Sequence, residues 1–256
     1  MAKHSLVRLK LMSSEETDRF AAFVASMPPA YRQSFDFEAT RLHAAIALRR
    51  AGRGAHVEIW RELSERVVAI CVVADDKPGL LSSISAALVE SRIDVVSADA
   101  YCRTLPDGRI EAVDFLYIRR LPNARGSIAP IRAKDILALA SAIETANLDA
   151  MPASLPVPPP APGTSARVRF AEGEDGTTLL TVEAVDRPGL LLAVTQAPFR
   201  AGIQIVGLRA TTEQGCAVDR FQLAEPNGQP IKKPRLLELQ CAILGALEEG
   251  MLSRSA

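Results

Sequence analysis

The chain has 256 residues, and its 30 Lys and Arg residues balance 30 Asp and Glu residues, so the formal net charge at pH 7 is zero. Balanced charge excludes the positive field that draws proteins to nucleic acid or to anionic membranes, and a 5% aromatic content provides few rings for stacking bases. No apolar run approaches the roughly 20 residues that span a bilayer, and the N-terminus lacks the apolar stretch of a secretion signal. The composition predicts a cytoplasmic protein that binds neither nucleic acid nor membrane.

The first 54 residues predict a helical arm. Ser13–Glu16 (SSEE) has the pattern of a capping box at the start of a helix. Met27-Pro28-Pro29 ends that helix, because proline cannot continue it. Phe35–Arg50 predicts another helix, so this arm can pack on the domains that follow.

The rest of the chain contains one six-residue pattern twice. Asp76–Leu81 reads DKPGLL and Asp186–Leu191 reads DRPGLL, 110 residues apart, which is the size of a small domain. Between the copies lies a proline-rich stretch that favours an extended spacer. The sequence predicts one domain at residues 55–150, a linker at 151–165 and a second domain at 166–256.

The alignment of the two copies extends beyond this pattern. Ile93–Val96 matches Ile203–Val206 at the same offset, whereas Ala112–Asp114 matches Ala217–Asp219 at an offset of 105. The first copy therefore has five additional residues, which we assign to a hairpin loop at Leu105–Arg109, where length varies at little cost.

Each copy predicts the element order β-β-α-β-β-α. The predicted elements of the first copy are Val57–Trp60, Val67–Ala74, a helix containing Leu80, Ile84 and Leu88, a strand with Val96, Ala98 and Ala100 on its inner face, Glu111–Ile118, and the helix Ile131–Asn147. Those of the second copy are Val168–Phe170, Leu179–Val185, a helix after Asp186, a strand with Val206, Leu208 and Ala210 inward, Cys216–Leu223, and the helix Arg235–Leu247.

This order predicts an α+β protein of two ferredoxin-like units. Such a unit normally ends on a fourth strand, but few residues follow the last helix. We therefore expect the strand that precedes each copy to fill the vacant sheet edge. Pro198 aligns with Leu88 inside the first helix, so the second copy's helix should be kinked or end early.

The four cysteines are Cys71, Cys102, Cys216 and Cys241, and none forms a C-x-x-C pair. Cys71, Cys102 and Cys241 lie in apolar stretches, where cysteine behaves as a small buried hydrophobe. We expect reduced core thiols, without disulfides or a zinc site.

The repeated turn has two interpretations. Asp76 and Asp186 can cap the following helix, and the glycine leaves the amides of Leu80–Leu81 and Leu190–Leu191 bare. A cap alone explains a strand-to-helix connection. Alternatively, these amides at the positive end of a helix dipole receive a small carboxylate.

D-x-P-G-L-L after a strand, followed by an apolar helix and I-x-[IV]-V, resembles the ACT domain, a regulatory amino-acid-binding module of ferredoxin-like fold. The two copies, with ARVRF…TTLLTVEAVDRPGLLLAVTQAPFRAGIQIV in the second, resemble the C-terminal tandem of the protein-PII uridylyltransferase/uridylyl-removing family. The arm motif FVASMPPAYRQSF resembles the helical segment that precedes that tandem, so the resemblance runs from Phe20 to Leu247.

The resemblance implies an effector site between two domains packed side by side, formed by the turn and the start of the following strand. Many members carry Asn at that strand start; here Asp94 can only accept a hydrogen bond when ionised, whereas Gln204 donates and accepts. Asp94 therefore either favours an ammonium group, marks lost binding, or is a solvated edge residue. The implied ligand-binding residues are Asp76, Pro78, Gly79, Leu80, Leu81, Asp94, Asp186, Pro188, Gly189, Leu190, Leu191 and Gln204.

Two functions remain open at this stage. The first is a regulatory amino-acid sensor, with glutamine as the first candidate ligand and with ACT pairing to a second chain or a partner enzyme. The second is a ligand-free dimerisation or interaction module. Catalysis has little support, because no histidine precedes an aspartate and no Gly-rich phosphate loop occurs. No cofactor or metal is expected.

Overall fold

The computed structural model describes residues 13–64, 66–145, 164–173 and 176–248. Within them, seven helices and eight strands make an α+β protein in which the order β-β-α-β-β-α occurs twice after three N-terminal helices. The proline-rich stretch predicted as a linker, residues 152–163, lies outside the described residues. The helices are α1 (Ser14–Ser26), α2 (Pro29–Ser34), α3 (Phe37–Arg49), α4 (Leu80–Glu90), α5 (Ala133–Thr145), α6 (Leu190–Arg200) and α7 (Lys233–Glu248). The strands are β1 (Ala55–Glu62), β2 (Val67–Asp75), β3 (Ile93–Thr104), β4 (Ile110–Arg120), β5 (Arg167–Glu172), β6 (Thr178–Val185), β7 (Gln204–Glu213) and β8 (Cys216–Ala224).

All eight strands form one antiparallel sheet in the order β1-β2-β4-β3-β7-β8-β6-β5. The first half (β1–β4) and the second half (β5–β8) have the same strand order when counted outward from the β3–β7 pair. That central pair joins the halves, with Ala98 opposite Ala210 and Tyr101 opposite Gly207. The expected edge strands are confirmed, because β1 pairs with β2 and β5 pairs with β6.

A β-bulge near the start of β3 and of β7 changes which residues face the helices. The register with the neighbouring strand skips Val96 in the first half and Val206 in the second. The prediction that Val96 and Val206 point inward was wrong, because a bulge inserts one unpaired residue and reverses the alternation before it. Val95 and Ile205 pack into the core instead, and the alternation is as predicted from Ala98 onward.

Four helices cover one face of the sheet, and α4 and α6 pack against each other across the boundary between the halves. The predicted apolar stripe of α4 is confirmed, since Leu80, Ile84 and Leu88 are all buried. The second half's counterpart, α6, does not end early: it has 11 residues, as α4 does, and continues to Arg200 past Pro198. Pro198 lies in the last turn, so only one intrahelical donor is lost there.

Within the described residues, the helical arm covers the opposite face of the first half and leaves that of the second half uncovered. The capping box at Ser13 and the end of α1 before Pro28 are as predicted. Phe23, Tyr31 and Phe35 of the arm pack on Phe115 and other side chains of the sheet. The first half therefore has a core on both faces of its sheet.

This difference between the halves is visible in the sequence of equivalent strands. Strand β2 is buried at seven consecutive residues, whereas β6 alternates between buried and partly exposed residues. Cys71 and Phe115 face the arm in the first half, and the equivalent positions in the second half are Thr181 and Arg220. A strand covered on both faces needs a continuous apolar run, whereas a strand with one solvated face needs alternation.

The arm buries a neutral histidine. His43 is 0% exposed, and its Nδ1 lies 2.9 Å from the Tyr31 hydroxyl. Burial lowers the pKa of His43 to about 3, so the ring is uncharged at neutral pH. It serves as an aromatic packing group among Tyr31, Phe35, Trp60 and Phe115.

The cysteines are only partly as predicted. Cys71 is buried and Cys102 is half-buried, but Cys241 is exposed on the outer side of α7 and Cys216 is exposed at the start of β8. The interpretation of Cys241 as a core thiol was wrong, because its apolar neighbours in sequence face inward on a helix while it faces outward. In the described part of the chain, no helix has both the length and the apolar character to cross a bilayer.

Candidate functional site

The two D-x-P-G turns, turn one (Asp76–Leu81) and turn two (Asp186–Leu191), have the same backbone geometry. Gly79 and Gly189 are the N-cap residues of α4 and α6, with φ of 79° and 81°. These values lie in the left-handed region, which disfavours any residue with a Cβ. No side-chain hydrogen bond caps either helix, so the expectation that Asp76 and Asp186 cap it is not met.

The bare amides lie one residue later than expected. The Leu80 amide donates to the Lys77 carbonyl at 3.1 Å, and Leu190 repeats this bond to Arg187 at 3.1 Å, because the turn closes on itself. Among the described residues, no protein acceptor meets the next two amides of either helix, which are those of Leu81 and Ser82 in α4 and of Leu191 and Leu192 in α6. Each turn thus presents a pair of donors at the positive end of a helix.

Each turn faces the start of the equivalent strand in the other half rather than the start of its own following strand. Crevice one lies between turn one and the start of β7 at Gln204–Gly207. Crevice two lies between turn two and the start of β3 at Asp94–Ser97. The structure therefore groups Asp76 with Gln204 and Asp186 with Asp94. The bulge residues Val96 and Val206 line these crevices.

A buried carboxylate that the sequence interpretation missed lines each crevice. Asp114 on β4 lines crevice one and Asp219 on β8 lines crevice two, and each is 4% exposed. Among the described residues, neither forms an ion pair with a basic side chain. The sequence signal for this pair of carboxylates is the triplet Ala-Val-Asp, which occurs in both copies at an offset of 105.

These two carboxyl groups hold protons unusually tightly. Burial, reinforced by the nearby negative charge of Asp76 and opposed by a hydrogen bond from the Tyr101 backbone, raises the pKa of Asp114 to about 8. Burial and the charge of Asp186 raise the pKa of Asp219 to about 7. Burial also raises the pKa of Asp76. Each crevice therefore favours the binding of a positively charged group, which would compensate the negative charge of its two carboxyl groups.

The two crevices differ at the start of the facing strand. Asp94 in crevice two is 4% exposed and accepts hydrogen bonds at 3.0 and 2.8 Å from the Arg119 guanidinium. Burial raises the pKa of Asp94, although the Arg119 guanidinium opposes that shift. The reading of Asp94 as a solvated edge residue was therefore wrong. Gln204 in crevice one is half-buried, and within the described residues its side-chain amide has no hydrogen-bond partner.

The crevices differ again on the helix. Ser82 of α4 lines crevice one, is 1% exposed and has an Oγ without a hydrogen-bond partner among the described residues. The equivalent residue of crevice two is Leu192. A buried hydroxyl without a partner costs free energy unless a ligand or water satisfies it.

Both crevices are narrow in this state. The enclosed volume is about 40 Å³ in crevice one and about 30 Å³ in crevice two. The Phe199 ring of α6 lies against turn one, so closely that a Cβ added at Gly79 would stand 2.5 Å from Phe199 Cδ2. Crevice one admits a small charged head group as it stands, and a larger ligand requires Phe199 to move.

The arm is linked to turn one through a buried ion-pair network. Arg50, which follows α3, is 5% exposed and lies 2.7 Å from Asp75 Oδ1 and 2.8 Å from Glu111 Oε1. Arg103 of β3 completes the network by pairing with Glu111. Asp75 immediately precedes turn one, so this ion-pair network connects the end of the arm to the start of the turn. The equivalents of Asp75 and Glu111 in the second half are Val185 and Cys216, so turn two has no such link.

The high pKa of Asp114 predicts a specific dependence of stability on pH. An unfolded aspartate has a pKa of roughly 3.9, so the folded chain binds this proton more tightly, and the resulting stabilisation is lost as pH rises from about 4 to about 8. Asp114→Asn keeps a neutral group there at every pH. We expect the melting temperature of the variant, relative to wild type, to rise between pH 5 and pH 8. A difference that is constant across this range in thermal melts would contradict the buried, protonated state.

The chain has relatives among curated proteins, although no family model matches it. It is 28% identical over 235 residues to the bifunctional uridylyltransferase/uridylyl-removing enzyme of Rhodospirillum rubrum, covering 86% of this chain and 24% of the enzyme. The enzyme of the same name from Nitrobacter winogradskyi is 27% identical over 90% of this chain and 25% of its own length. That from Streptomyces coelicolor is 30% identical over 64% of this chain and 20% of its own length. The chain thus resembles a segment of that enzyme and spans about a quarter of its length.

One solved structure also aligns with the chain. It is described as an unknown protein from Galdieria sulphuraria and covers 72% of this chain at 21% identity with a TM-score of 0.23. A score this low supports no inference about the fold. Among the described residues, no group of three or more His, Cys, Asp or Glu side chains is placed to hold a metal ion.

Proposed function

We propose that this chain is a regulatory amino-acid sensor built from two ACT-type domains, at residues 55–150 and 166–256, and that it acts in the control of nitrogen metabolism. Its similarity to uridylyltransferase/uridylyl-removing enzymes supports that context. Glutamine is the first candidate ligand. The chain acts as the regulatory part and not as a catalyst, and residues 151–165 act as its linker.

The observation that carries this proposal is the complementarity of the crevices to a zwitterion. Two unbonded amides at a helix N-terminus lie in the same crevice as a pair of carboxyl groups. The amides suit the α-carboxylate of a free amino acid, because both the donors and the helix dipole favour negative charge. Asp76 and Asp114 suit its ammonium group, which would replace the proton that now neutralises the pair.

Binding at such a site would act on the arrangement of the two halves. Each crevice combines the turn of one half with a strand start from the other, so a ligand contacts both sides of the β3–β7 boundary. A ligand that prefers one arrangement of the halves shifts the population toward it. A second chain or a partner enzyme would pair with this chain through the sheet edges and helices. Its binding would depend on that arrangement of the halves.

A thermal-shift screen against the twenty amino acids tests this proposal. At ten times its dissociation constant, a ligand stabilises by about 1.4 kcal/mol, which raises the melting temperature by about 3–6 °C for a chain of this size. We expect a saturable rise with at least one amino acid, and glutamine is the first expected. No rise with any of them at tens of millimolar would contradict amino-acid sensing.

A second candidate function is a ligand-free interaction module. The narrow crevices favour it, because each turn already packs closely on the strand start of the other half without any ligand. This module would use the same turns only to hold the halves together. A chain that fails the amino-acid screen yet binds a second copy or a partner enzyme would support this alternative.

A further inference from the structure

We infer that the two crevices have different roles: crevice one binds the amino acid, and crevice two is a structural joint that stays closed. This inference rests on the proposed function and names which of two equivalent-looking sites performs it. The duplicated turns predict two sites for each chain, whereas the side chains around them support one.

Crevice two keeps the unbonded helix amides of Leu191 and Leu192, but at the positions equivalent to Ser82 and Gln204 it offers neither a free hydroxyl nor a free side-chain amide. The Asp94 carboxylate is already satisfied by Arg119, at 2.8 and 3.0 Å. A ligand that used Asp94 would have to displace Arg119 from a carboxylate that is 4% exposed, which is costly because a buried charge needs its partner. Leu192 stands where crevice one has a hydroxyl. Arg187 of turn two donates from a terminal nitrogen to the Leu247 carbonyl at 2.8 Å, and its Nε has no partner among the described residues.

Crevice one has three sets of polar groups without partners among the described residues. They are the Leu81 and Ser82 amides, the Ser82 hydroxyl and the Gln204 side-chain amide. The amides and the hydroxyl can together bind a carboxylate, while Gln204 can both donate to and accept from an uncharged polar side chain. Buried polar groups are nearly always paired in folded proteins, so the unpaired Ser82 hydroxyl, at 1% exposure, indicates a place where a ligand completes the bonding.

The charges that face crevice one fit the same ligand. The titratable side chains that line crevice one are Asp76 and Lys77 of the turn, Asp114 of β4, and Tyr101 and Cys102 of β3. Lys77 is exposed, so the two carboxyl groups dominate the interior. An α-amino acid places its ammonium and carboxylate on one carbon, which matches carboxyl groups and helix amides that line one small space. Phe199 lies against turn one and would move aside for the ligand's side chain.

Calorimetric titration of the whole chain with L-glutamine, or with the amino acid that gave the largest thermal shift, tests this inference. We expect one ligand for each chain. Ser82→Ala and Gln204→Ala should each weaken binding about fivefold to tenfold, the effect of losing one buried hydrogen bond. The matched variants in crevice two, Leu192→Ala and Asp94→Asn, should change the affinity less than twofold. Circular dichroism melts of all four variants confirm that each is folded before titration.

The results separate this inference from the function it depends on. Two ligands for each chain would overturn it, as would loss of binding in the Leu192 and Asp94 variants with no loss in the Ser82 and Gln204 variants. Either result would leave amino-acid sensing intact. A chain that binds none of the twenty amino acids in the thermal-shift screen would instead overturn the proposed function itself.

Discussion

Replacing Phe115 with alanine is expected to lower the free energy of unfolding by about 3–5 kcal/mol, the usual cost of removing a buried aromatic side chain. Phe115 is 0% exposed and lies in the aromatic cluster between the sheet and the arm, with ring centroids 4.1 Å from His43 and 4.6 Å from Phe35. Its loss leaves a cavity lined by groups from both layers. Thermal and denaturant unfolding should both report the loss, with a fall in melting temperature of about 10 °C.

The chain supplies a matched control at the equivalent position of the second half. Arg220 lies on β8 where Phe115 lies on β4, but it is exposed, because none of the helices that the structure describes covers that face. Arg220→Ala should change stability by no more than about 0.5 kcal/mol. Similar losses for the two substitutions would contradict the asymmetric cover of the sheet and the role assigned to the arm.

The second large effect is expected at turn one. Gly79→Ala places a Cβ at a φ of 79° and 2.5 Å from Phe199 Cδ2, so the substitution combines backbone strain with a steric clash. Strain at a left-handed residue costs roughly 1–2 kcal/mol and crowding a packed site roughly 1–3 kcal/mol. We expect a total loss of about 2–5 kcal/mol in stability and the loss of the amino-acid thermal shift.

Gly108→Ala separates the two contributions. Gly108 has a φ of 84° in the β3–β4 hairpin, and a Cβ there would meet nothing within 4 Å. It should therefore show the backbone cost alone and keep the full response to ligand. Equal destabilisation of the two variants, or a ligand response that survives Gly79→Ala, would contradict the packing of Phe199 on turn one.

The sequence alone predicted the duplication because turn residues and strand periodicity are local properties. The repeat of Asp-x-Pro-Gly-Leu-Leu, the edge strands and the hairpin insertion at Leu105–Arg109 all follow from short-range patterns. The bulge at Val96 was not predictable, since an unpaired residue leaves the composition of a strand unchanged. Helix propensity alone led to the expectation that α6 ends early at Pro198. The helix continues because Pro198 lies in its last turn.

The site was harder to predict because it is assembled across the halves. Nothing local links Asp76 to Gln204, which are brought together by the β3–β7 pairing and by the packing of α4 on α6. The ion pair of Asp94 with Arg119 depends on strand register and not on sequence spacing. Asp114 was visible as a repeated residue, but its burial beneath turn one could be known only once the strand was placed in the sheet.

The most direct measurement of the central claim is a ¹H–¹⁵N NMR titration of the whole chain with L-glutamine, followed at the amides of the two turns. We expect saturable shifts at Gly79, Leu81, Ser82 and the Gln204 side chain, with Leu191 and Leu192 unmoved. Shifts confined to turn two, or none at turn one while glutamine raises the melting temperature, would contradict a carboxylate seated on the helix amides beside Asp114.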